Sequence, residues 1–503
     1  MQSVADLHAL PADALTLGID LGTSAVKVLA LDGLGQALAA GSADFPTISQ
    51  EPGQAEQEPA AWLAALERAM AALDRELSPR SPAWLAQVVG IGLTGQLPTL
   101  VCLGDQGPLG PAITWKDARA DAWAALQIDA PTRRSLYART GMPIDGRYLG
   151  PMLLHHFAGR LAQVRTVLSA KDYLCYALTG MRVTDPSTAA GYGAYDLVRG
   201  DFAPDLCAQW QLPAAALPAL RPAHAPAGGL SEGGARLLGL APGIPVSVGA
   251  ADSVAGAYAL AGLEEGIICI SMGSSTIILD AIRAARPDTQ DRYLLTPHVV
   301  PGWYGREMDL LATGTGHRWL SELFGWSEGR LDQLAAQSPA GARGLRFAPY
   351  LAGGEQGALW DPSLRGALHG LTLQHSHADI ARAFLEGVYF EIRRCVDVLA
   401  ETAPVRGVVI SGGIVDFPES LQLLADILEQ PVRAVRSASA AAQGAALGAR
   451  EMLQGAAASI PAGTRGAESG AIPLQAHAGA PTLPGVNSPG YRALYADYRQ
   501  TIA

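Results

Sequence analysis

Gly18-Ile19-Asp20-Leu21-Gly22-Thr23-Ser24-Ala25-Val26-Lys27-Val28-Leu29-Ala30-Leu31-Asp32 runs from apolar to polar and back to apolar. Leu15 to Leu21 has the composition of a buried strand, and Val26 to Leu31 that of a second. Gly22, Thr23 and Ser24 between them suit a hairpin turn with free backbone N–H groups and two hydroxyls. Asp20 closes the first strand, where a carboxylate is placed to hold a metal ion, and Lys27 lies just past the turn. Carboxylate, hydroxyl turn and cation together make a cradle for a phosphate chain with Mg²⁺. An ordinary hairpin fits the same stretch, because turns favour these residue types in any case.

Around this stretch, a chain of 503 residues is too long for one core, so two large lobes are expected. The net charge of −11 and the lack of a Lys/Arg block argue against a nucleic-acid surface. Such a protein binds a polyanion locally, with backbone donors, one or two cations and a metal ion. Cys102, Cys175, Cys207, Cys269 and Cys395 are odd in number and form no C-x-x-C pair, which predicts reduced, buried thiols and a cytoplasmic setting. No Lys or Arg precedes Lys27, and no uninterrupted apolar run reaches spanning length, so neither a secretory signal nor a membrane span is expected. Residues 1–13 read as a loose leader.

Further along, the spacing predicts a strand over 35–44, a polar loop over 46–59, a helix over 60–77, and strands over 88–94, 100–103 and 112–115. Residues 131–180 read as helical, and 184–230 as loop-rich. Gly90-Ile91-Gly92-Leu93-Thr94-Gly95 fits G-x-G-x-x-G after a strand, but that fingerprint needs a helix to start at once. Leu97-Pro98-Thr99-Leu100-Val101 follows instead, so the dinucleotide reading is rejected. Ile270-Ser271-Met272-Gly273-Ser274-Ser275 then echoes Ile19-Asp20-Leu21-Gly22-Thr23-Ser24, which suggests two similar lobes, each opening on a hairpin. A strand is expected over 245–249 and helices over 253–261, from about His317, and over 379–398, 418–429, 440–453 and 491–502. Strands are expected over 406–411 and 431–435, and a surface connection over 454–489.

Asp252 opens the helix from Ser253, where the helix dipole holds a carboxylate ionised and ready to accept a proton. A plain N-cap is the competing reading. Gly412-Gly413 ends a strand without Cβ atoms, so a flat ligand fits against its backbone, as does a simple tight turn. Trp115-Lys116-Asp117-Ala118-Arg119 sets an aromatic ring beside a carboxylate, a common way to hold a sugar and equally a solvated strand end. No G-x-x-x-x-G-K-[ST] occurs, which argues against a P-loop enzyme.

Taken in order, these segments resemble the FGGY family of sugar kinases, most similar in motif to the xylulokinases. Gly18 to Ser24 with Lys27 is similar to the family's first phosphate motif, and Trp115 to Arg119 to its W-N-D-x-R segment. Lys171-Asp172-Tyr173-Leu174, Thr184-Asp185 and Ala189-Ala190-Gly191 resemble its middle region. Gly249-Ala250-Ala251-Asp252 resembles the segment with the catalytic Asp, Ser271 to Ser275 the second phosphate motif, and Ser411-Gly412-Gly413 the adenosine motif. Trp360-Asp361-Pro362 with Arg365-Gly366 fits the second-half signature.

The resemblance implies an α/β fold of two actin-like (RNase H-like) ATPase lobes with the active site in the cleft between them. The lobes are expected over 14–245 and 246–455, with 456–503 a connection and closing helix. ATP and Mg²⁺ are the implied cofactors, a small sugar the substrate, and a homodimer the assembly to test. Asp252 is implied as catalytic base and Asp20 as metal holder. Thr23, Ser24, Lys27, Gly273, Ser274, Gly314, Arg318, Gly412 and Gly413 are implied for the nucleotide. Gln96, Leu97, Trp115, Asp117, Asp252 and Ser253 are implied for the sugar. Departures cluster on the sugar side: Leu97-Pro98 replaces Met-His, Lys116 replaces Asn, Ser253 replaces Asn, and Gly354-Glu355-Gln356-Gly357-Ala358 replaces G-E-R-T-P. The expected reaction is phosphorylation of a primary hydroxyl, with D-xylulose first and ribulose or a pentitol such as arabinitol as competitors. A low-turnover sugar-responsive regulator and an actin-like ATPase without a sugar site are the alternatives from other classes.

Overall fold

The computed structural model describes residues 10–327, 329–352, 357–457 and 478–502. Leu15–Leu21 and Ala25–Leu31 form the antiparallel opening hairpin, extended by Ala37–Asp44. On its other side Val88–Gly95 runs parallel to Leu15–Leu21, followed by Pro245–Ser247 and then Pro226–Gly229 in a seven-stranded sheet. Ile267–Met272 and Thr276–Ile282 repeat the hairpin in a six-stranded sheet. Tyr304–Leu310 extends it as Ala37–Asp44 extends the first, and Gly407–Gly412 then Val432–Ala434 add the parallel strands. The echo between Ile19–Ser24 and Ile270–Ser275 therefore marks a repeat of strand order and direction.

The small-residue helix Ala440–Ala457 belongs in sequence to the second half, yet it packs on the first sheet. A Cβ on Gly18 would lie 1.8 Å from the Ala442 carbonyl oxygen, and one on Gly92 would lie 1.7 Å from that of Ala445. Gly444 in turn meets the Ala255 carbonyl oxygen, with 1.9 Å left for a Cβ. Gly90 and Gly92 of the rejected dinucleotide pattern thus serve helix-to-sheet contact.

Ala250–Ala251 pairs with Val88–Gly95, so the first sheet includes residues beyond 245. Several element expectations are corrected. The span 131–180 is broken by the strand Thr166–Leu168, and the loop 46–59 holds the short strand Glu56–Gln57. Leu294–Pro297 is a strand that the spacing did not announce. The connection at 454–489 lies mostly outside the described residues, as do residues 1–9 of the leader and 354–356 of the departed motif. The closing helix Ser488–Thr501 sets Tyr495 and Tyr498 against Phe390 of helix His377–Ala400.

Candidate active site

The turns of the two hairpins meet at one cavity of about 260 Å³, with Thr23 on one wall and Ser275 on the other. Asp252 enters it at the start of helix Asp252–Ala261. The approach depends on Gly249, whose φ is +81° and whose Cβ would lie 2.0 Å from the Leu93 carbonyl oxygen. Beyond it, Thr94 Oγ1 donates to the Ala250 carbonyl at 2.8 Å, and Ala251 N–H donates to Ser187 Oγ at 2.9 Å. The Ser187 hydroxyl donates to Asp185. Buried Lys171 Nζ lies 2.7 Å from Asp172 Oδ1 and 3.3 Å from Asp185 Oδ1, and donates to the Val248 carbonyl at 3.0 Å. The Lys171-Asp172 and Thr184-Asp185 pairs therefore brace the backbone on both sides of Gly249, just before Asp252.

Asp252 Oδ1 accepts from Ser253 N–H at 2.9 Å. Burial, then the negative charge of Asp20 and, more weakly, Asp309, push its carboxyl up to about 7. Ser253 Oγ donates to Glu307 Oε2 at 2.8 Å, which ties the Asp252 helix to strand Tyr304–Leu310. Burial and the neighbouring Asp309 raise Glu307 well above the carboxylate range, and burial pushes Asp309 up to about 6. Arg147 lies on the cavity wall, held by Asp145 with Nε 3.0 Å from Oδ2.

Asp20 is buried, opposite Lys27 in the hairpin register. Burial raises its carboxyl, while Lys27 and the Ser439 hydroxyl oppose that rise. Ser439 Oγ donates to Asp20 Oδ2 at 3.2 Å, whereas Oδ1 is a buried acceptor without a hydrogen-bond partner among the described residues. A carboxylate with one oxygen unspent suits Mg²⁺, which takes one or two protein carboxylates and completes its shell with phosphates and water. Among the described residues no cluster of three or more His, Cys, Asp or Glu forms an all-protein metal cage.

Of the residues expected at the sugar, Leu97, Trp115, Asp252 and Ser253 line the cavity. Trp115 Nε1 donates to Thr23 Oγ1 at 3.2 Å, which joins sugar wall to phosphate turn. Gln96 and Asp117 are not among its lining residues, and both make hydrogen bonds that brace neighbouring segments. Gln96 Nε2 donates to Gln57 Oε1 at 2.8 Å. Asp117 Oδ2 accepts from Ala55 N–H at 2.9 Å and from Arg119 Nη2 at 2.6 Å, while Oδ1 accepts from Arg119 Nε at 3.0 Å. Both carboxylate oxygens are thus spent on the protein.

The residues expected at the nucleotide divide between the hairpins. Ser24 is exposed at the first turn, where its carbonyl accepts from Phe45 N–H at 3.1 Å, and Lys27 stands beside it on the second strand. Gly273 and Ser274 form the second turn, and the Ser274 carbonyl accepts from Thr315 N–H at 3.0 Å. A Cβ on Gly314 would lie 2.1 Å from the Gly273 carbonyl oxygen, and one on Gly412 would lie 1.9 Å from that of Met272. Gly413 faces open space, and Arg318 is exposed on helix Thr313–Phe324.

Sequence reading missed Arg147, Glu307, Asp309 and Ser439. Glu307 and Asp309 had a signal: two carboxylates separated by one residue in a strand share a face. Arg147 and Ser439 reach the site only through tertiary folding and carried none.

Two duplicated lobes whose hairpin turns share a carboxylate-bearing cavity define an actin-like ATPase fold. Residues 15–259 match the N-terminal domain of the FGGY family of carbohydrate kinases, and residues 268–451 match its C-terminal domain. The chain belongs to the FGGY family of carbohydrate kinases and is a sugar kinase. It is 30% identical over 420 residues to a xylulose kinase of Lactococcus lactis, covering 82% of each chain. It is 31% identical over 457 residues to a glycerol kinase of Gloeobacter violaceus, covering 86% of this chain and 87% of that one. The crystal structure of xylulose kinase from Rhodospirillum rubrum superposes with a TM-score of 0.82 at 29% identity, over 97% of this chain and 98% of that one.

Proposed function

We propose that the protein transfers the γ-phosphoryl group of ATP to the primary hydroxyl of D-xylulose, giving D-xylulose 5-phosphate and ADP. The observation that carries this reading is Asp252, a buried carboxyl poised near neutrality between two phosphate-type turns. The 30% identity with a xylulose kinase supports the choice of sugar. Leu97 and Pro98 on the cavity wall favour a second reading, another ketopentose or a pentitol, because an apolar pair stands where an imidazole would bond a hydroxyl. The five cysteines are buried and none is in a disulfide among the described residues, which supports a cytoplasmic setting.

In this mechanism the sugar lies against Trp115 and Leu97. Asp252 accepts the proton of the primary hydroxyl as its oxygen bonds to the γ-phosphorus and the bond to the ADP oxygen breaks. Thr23, Ser24, Gly273 and Ser274 offer donors to the phosphate oxygens, and Lys27 supplies a nearby positive charge. Asp20 would hold Mg²⁺, which supplies neutralisation of phosphate charge. Gly314, Arg318, Gly412 and Gly413 flank the nucleoside. Positioning and electrostatics account for most of the rate.

The test is ADP release over a panel of ketopentoses, pentitols and glycerol. Sugar-dependent ADP with D-xylulose as the preferred acceptor is the expected result, and none with any acceptor would sink the reading. Asp252→Asn is expected to lower kcat about 10³-fold, within the usual range for a lost general base, and to leave sugar binding intact. Unchanged turnover would remove Asp252 from that role.

A further inference from the structure

The sugar cavity has a second-lobe wall that the family motifs do not announce. We propose that Asp309 and Glu307 form the hydroxyl-reading edge of the sugar subsite and restrict it to neutral polyhydroxy substrates. This rests on the cavity being the acceptor site of the kinase reading.

Glu307 and Asp309 lie one residue apart on strand Tyr304–Leu310, so both project from one face, and both line the cavity with Asp252. Glu307 is fixed by the Ser253 hydroxyl at 2.8 Å, so its orientation is coupled to the start of the Asp252 helix. Asp309 Oδ1 is buried without a hydrogen-bond partner among the described residues. At a cavity such an acceptor takes its donor from water or from a ligand hydroxyl, which places it to read one. The facing wall offers little in return: Leu97 and Pro98 are apolar, and the Trp115 indole N–H is spent on Thr23.

The charge on the walls sharpens the ligand class. Three carboxyl groups, Asp252, Glu307 and Asp309, face the cavity, and Arg147 is the one Lys or Arg among the described lining residues. That guanidinium is already engaged by Asp145, with Nε 3.1 Å from Oδ1 and 3.0 Å from Oδ2. A sugar hydroxyl donates to a carboxylate without adding charge. An aldonate would add a further carboxylate beside Asp252 and Asp309, where the one guanidinium of the wall is already paired with Asp145. The second lobe thereby takes over hydroxyl recognition from the first-lobe position where Pro98 stands, so acceptor choice depends on both lobes.

The test compares wild type with Asp309→Asn and Glu307→Gln, using D-xylulose, D-arabinitol and D-gluconate. Binding without ATP is read from intrinsic tryptophan fluorescence and calorimetry, and turnover from ADP release. Wild type is expected to bind the neutral compounds and not gluconate. Asp309→Asn is expected to weaken binding of the neutral ligand about 30-fold, the range for a lost hydrogen bond to a charged group. Its KM for ATP and its melting temperature should stay near wild type, and its preference against gluconate should shrink. Glu307→Gln, which keeps an acceptor for Ser253, should show a smaller change in the same direction. If Asp309→Asn fails to fold, Asp309→Glu keeps the charge, moves it, and gives the same readout.

Unchanged sugar affinity in Asp309→Asn, or gluconate binding by wild type as tight as that of xylulose, overturns the proposal and leaves the kinase reading standing. Neutral-sugar binding that depends on Asp309 without ADP release sinks the kinase reading and leaves this inference standing. No binding of any polyol by wild type overturns both.

Discussion

The two hairpins share strand order, direction and a turn closed by a backbone hydrogen bond, yet they have been given different chemistry. In the first, Gly22 N–H donates to the Ala25 carbonyl at 3.1 Å, and in the second Gly273 N–H donates to that of Ser275 at 2.9 Å. The first places Asp20 opposite Lys27, while the second places Ser271 opposite Ile277. The first is backed by helix Ala440–Ala457 through Gly18, and Cys269 occupies the corresponding place in the second. Cys269 is buried and its thiol reaches the Ala257 carbonyl at 3.6 Å. Duplication therefore supplied two equal glycine–hydroxyl turns, and divergence put Asp20 and Lys27 beside one of them. The other kept neutral hydroxyls, with Gly314 and Gly412 packed closely against its backbone carbonyls.

The largest effect is expected where the backing differs. Gly18→Ala would drive a Cβ to 1.8 Å from the Ala442 carbonyl oxygen, so helix or sheet must move. A loss of more than about 4 kcal/mol is expected, read as a fall in urea midpoint or failure to express folded. Cys269→Ala at the matching site should cost only about 1 kcal/mol. Equal costs would show that the two hairpins are supported alike.

Next comes the ionisable pair. Asp20→Asn is expected to lower kcat/KM at least about 100-fold, the order of several kcal/mol that a lost metal-holding charge represents. Calorimetry should also show weaker Mg²⁺-dependent ATP binding. Ser271→Ala should stay within about tenfold of wild type, since a neutral hydrogen bond contributes only about 1 kcal/mol. A Ser271→Ala defect as deep as that of Asp20→Asn would break the division of labour.

Much of this division could be read from the chain itself. Residues 18–32 and 267–282 alternate apolar strand and glycine–hydroxyl turn, a local signal that survives without tertiary context. Asp252 was visible because it opens a helix after a strand. Gln96 and Asp117 show the limit of such reading: a polar side chain at a strand end can brace loops or bind sugar, and its protein partners are not written in the local pattern. Gln57 and Ala55, two of those partners, come from a distant segment, while Arg119 lies two residues from Asp117. Strand Thr166–Leu168 is too short to show a period, so the flanking helical patterns absorbed it. Ser439 touches Asp20 across most of the length of the chain, a contact that no local pattern encodes.

The carboxyl between the hairpins offers a graded test. Asp252 must be ionised to accept a proton, and its carboxyl sits at about 7, so kcat/KM should fall as pH drops through that value. Asp309→Asn removes one of the negative neighbours that raise Asp252, so the acidic limb should move to lower pH. A limb that stays fixed would separate Asp309 from the base electrostatically. The same shift has a stability consequence. The folded state holds this proton up to about pH 7 and the unfolded state releases it near 3.8, so ionisation above that range works against the fold. Asp252→Asn should therefore melt higher than wild type at pH 8, with the gain shrinking toward pH 5.

The smallest expected effect falls on Ser439, which links the first hairpin to the helix behind it. Its Oγ accepts from Ala442 N–H at 3.2 Å, as an N-cap does, and donates to Asp20 Oδ2 at 3.2 Å. Ser439→Ala should cost about 1 kcal/mol as a lost cap. It also withdraws one of the two influences that lower Asp20, so the carboxyl rises further and the Mg²⁺ requirement increases, while KM for the sugar is unchanged. The second hairpin has its own tie, the hydroxyl pair of Thr276 and Thr313 with their oxygens 2.7 Å apart. Thr313→Val breaks that tie without approaching a carboxylate. It should bring a similar loss of stability and no change in Mg²⁺ requirement, because only the first hairpin converts a packing contact into control of a charge.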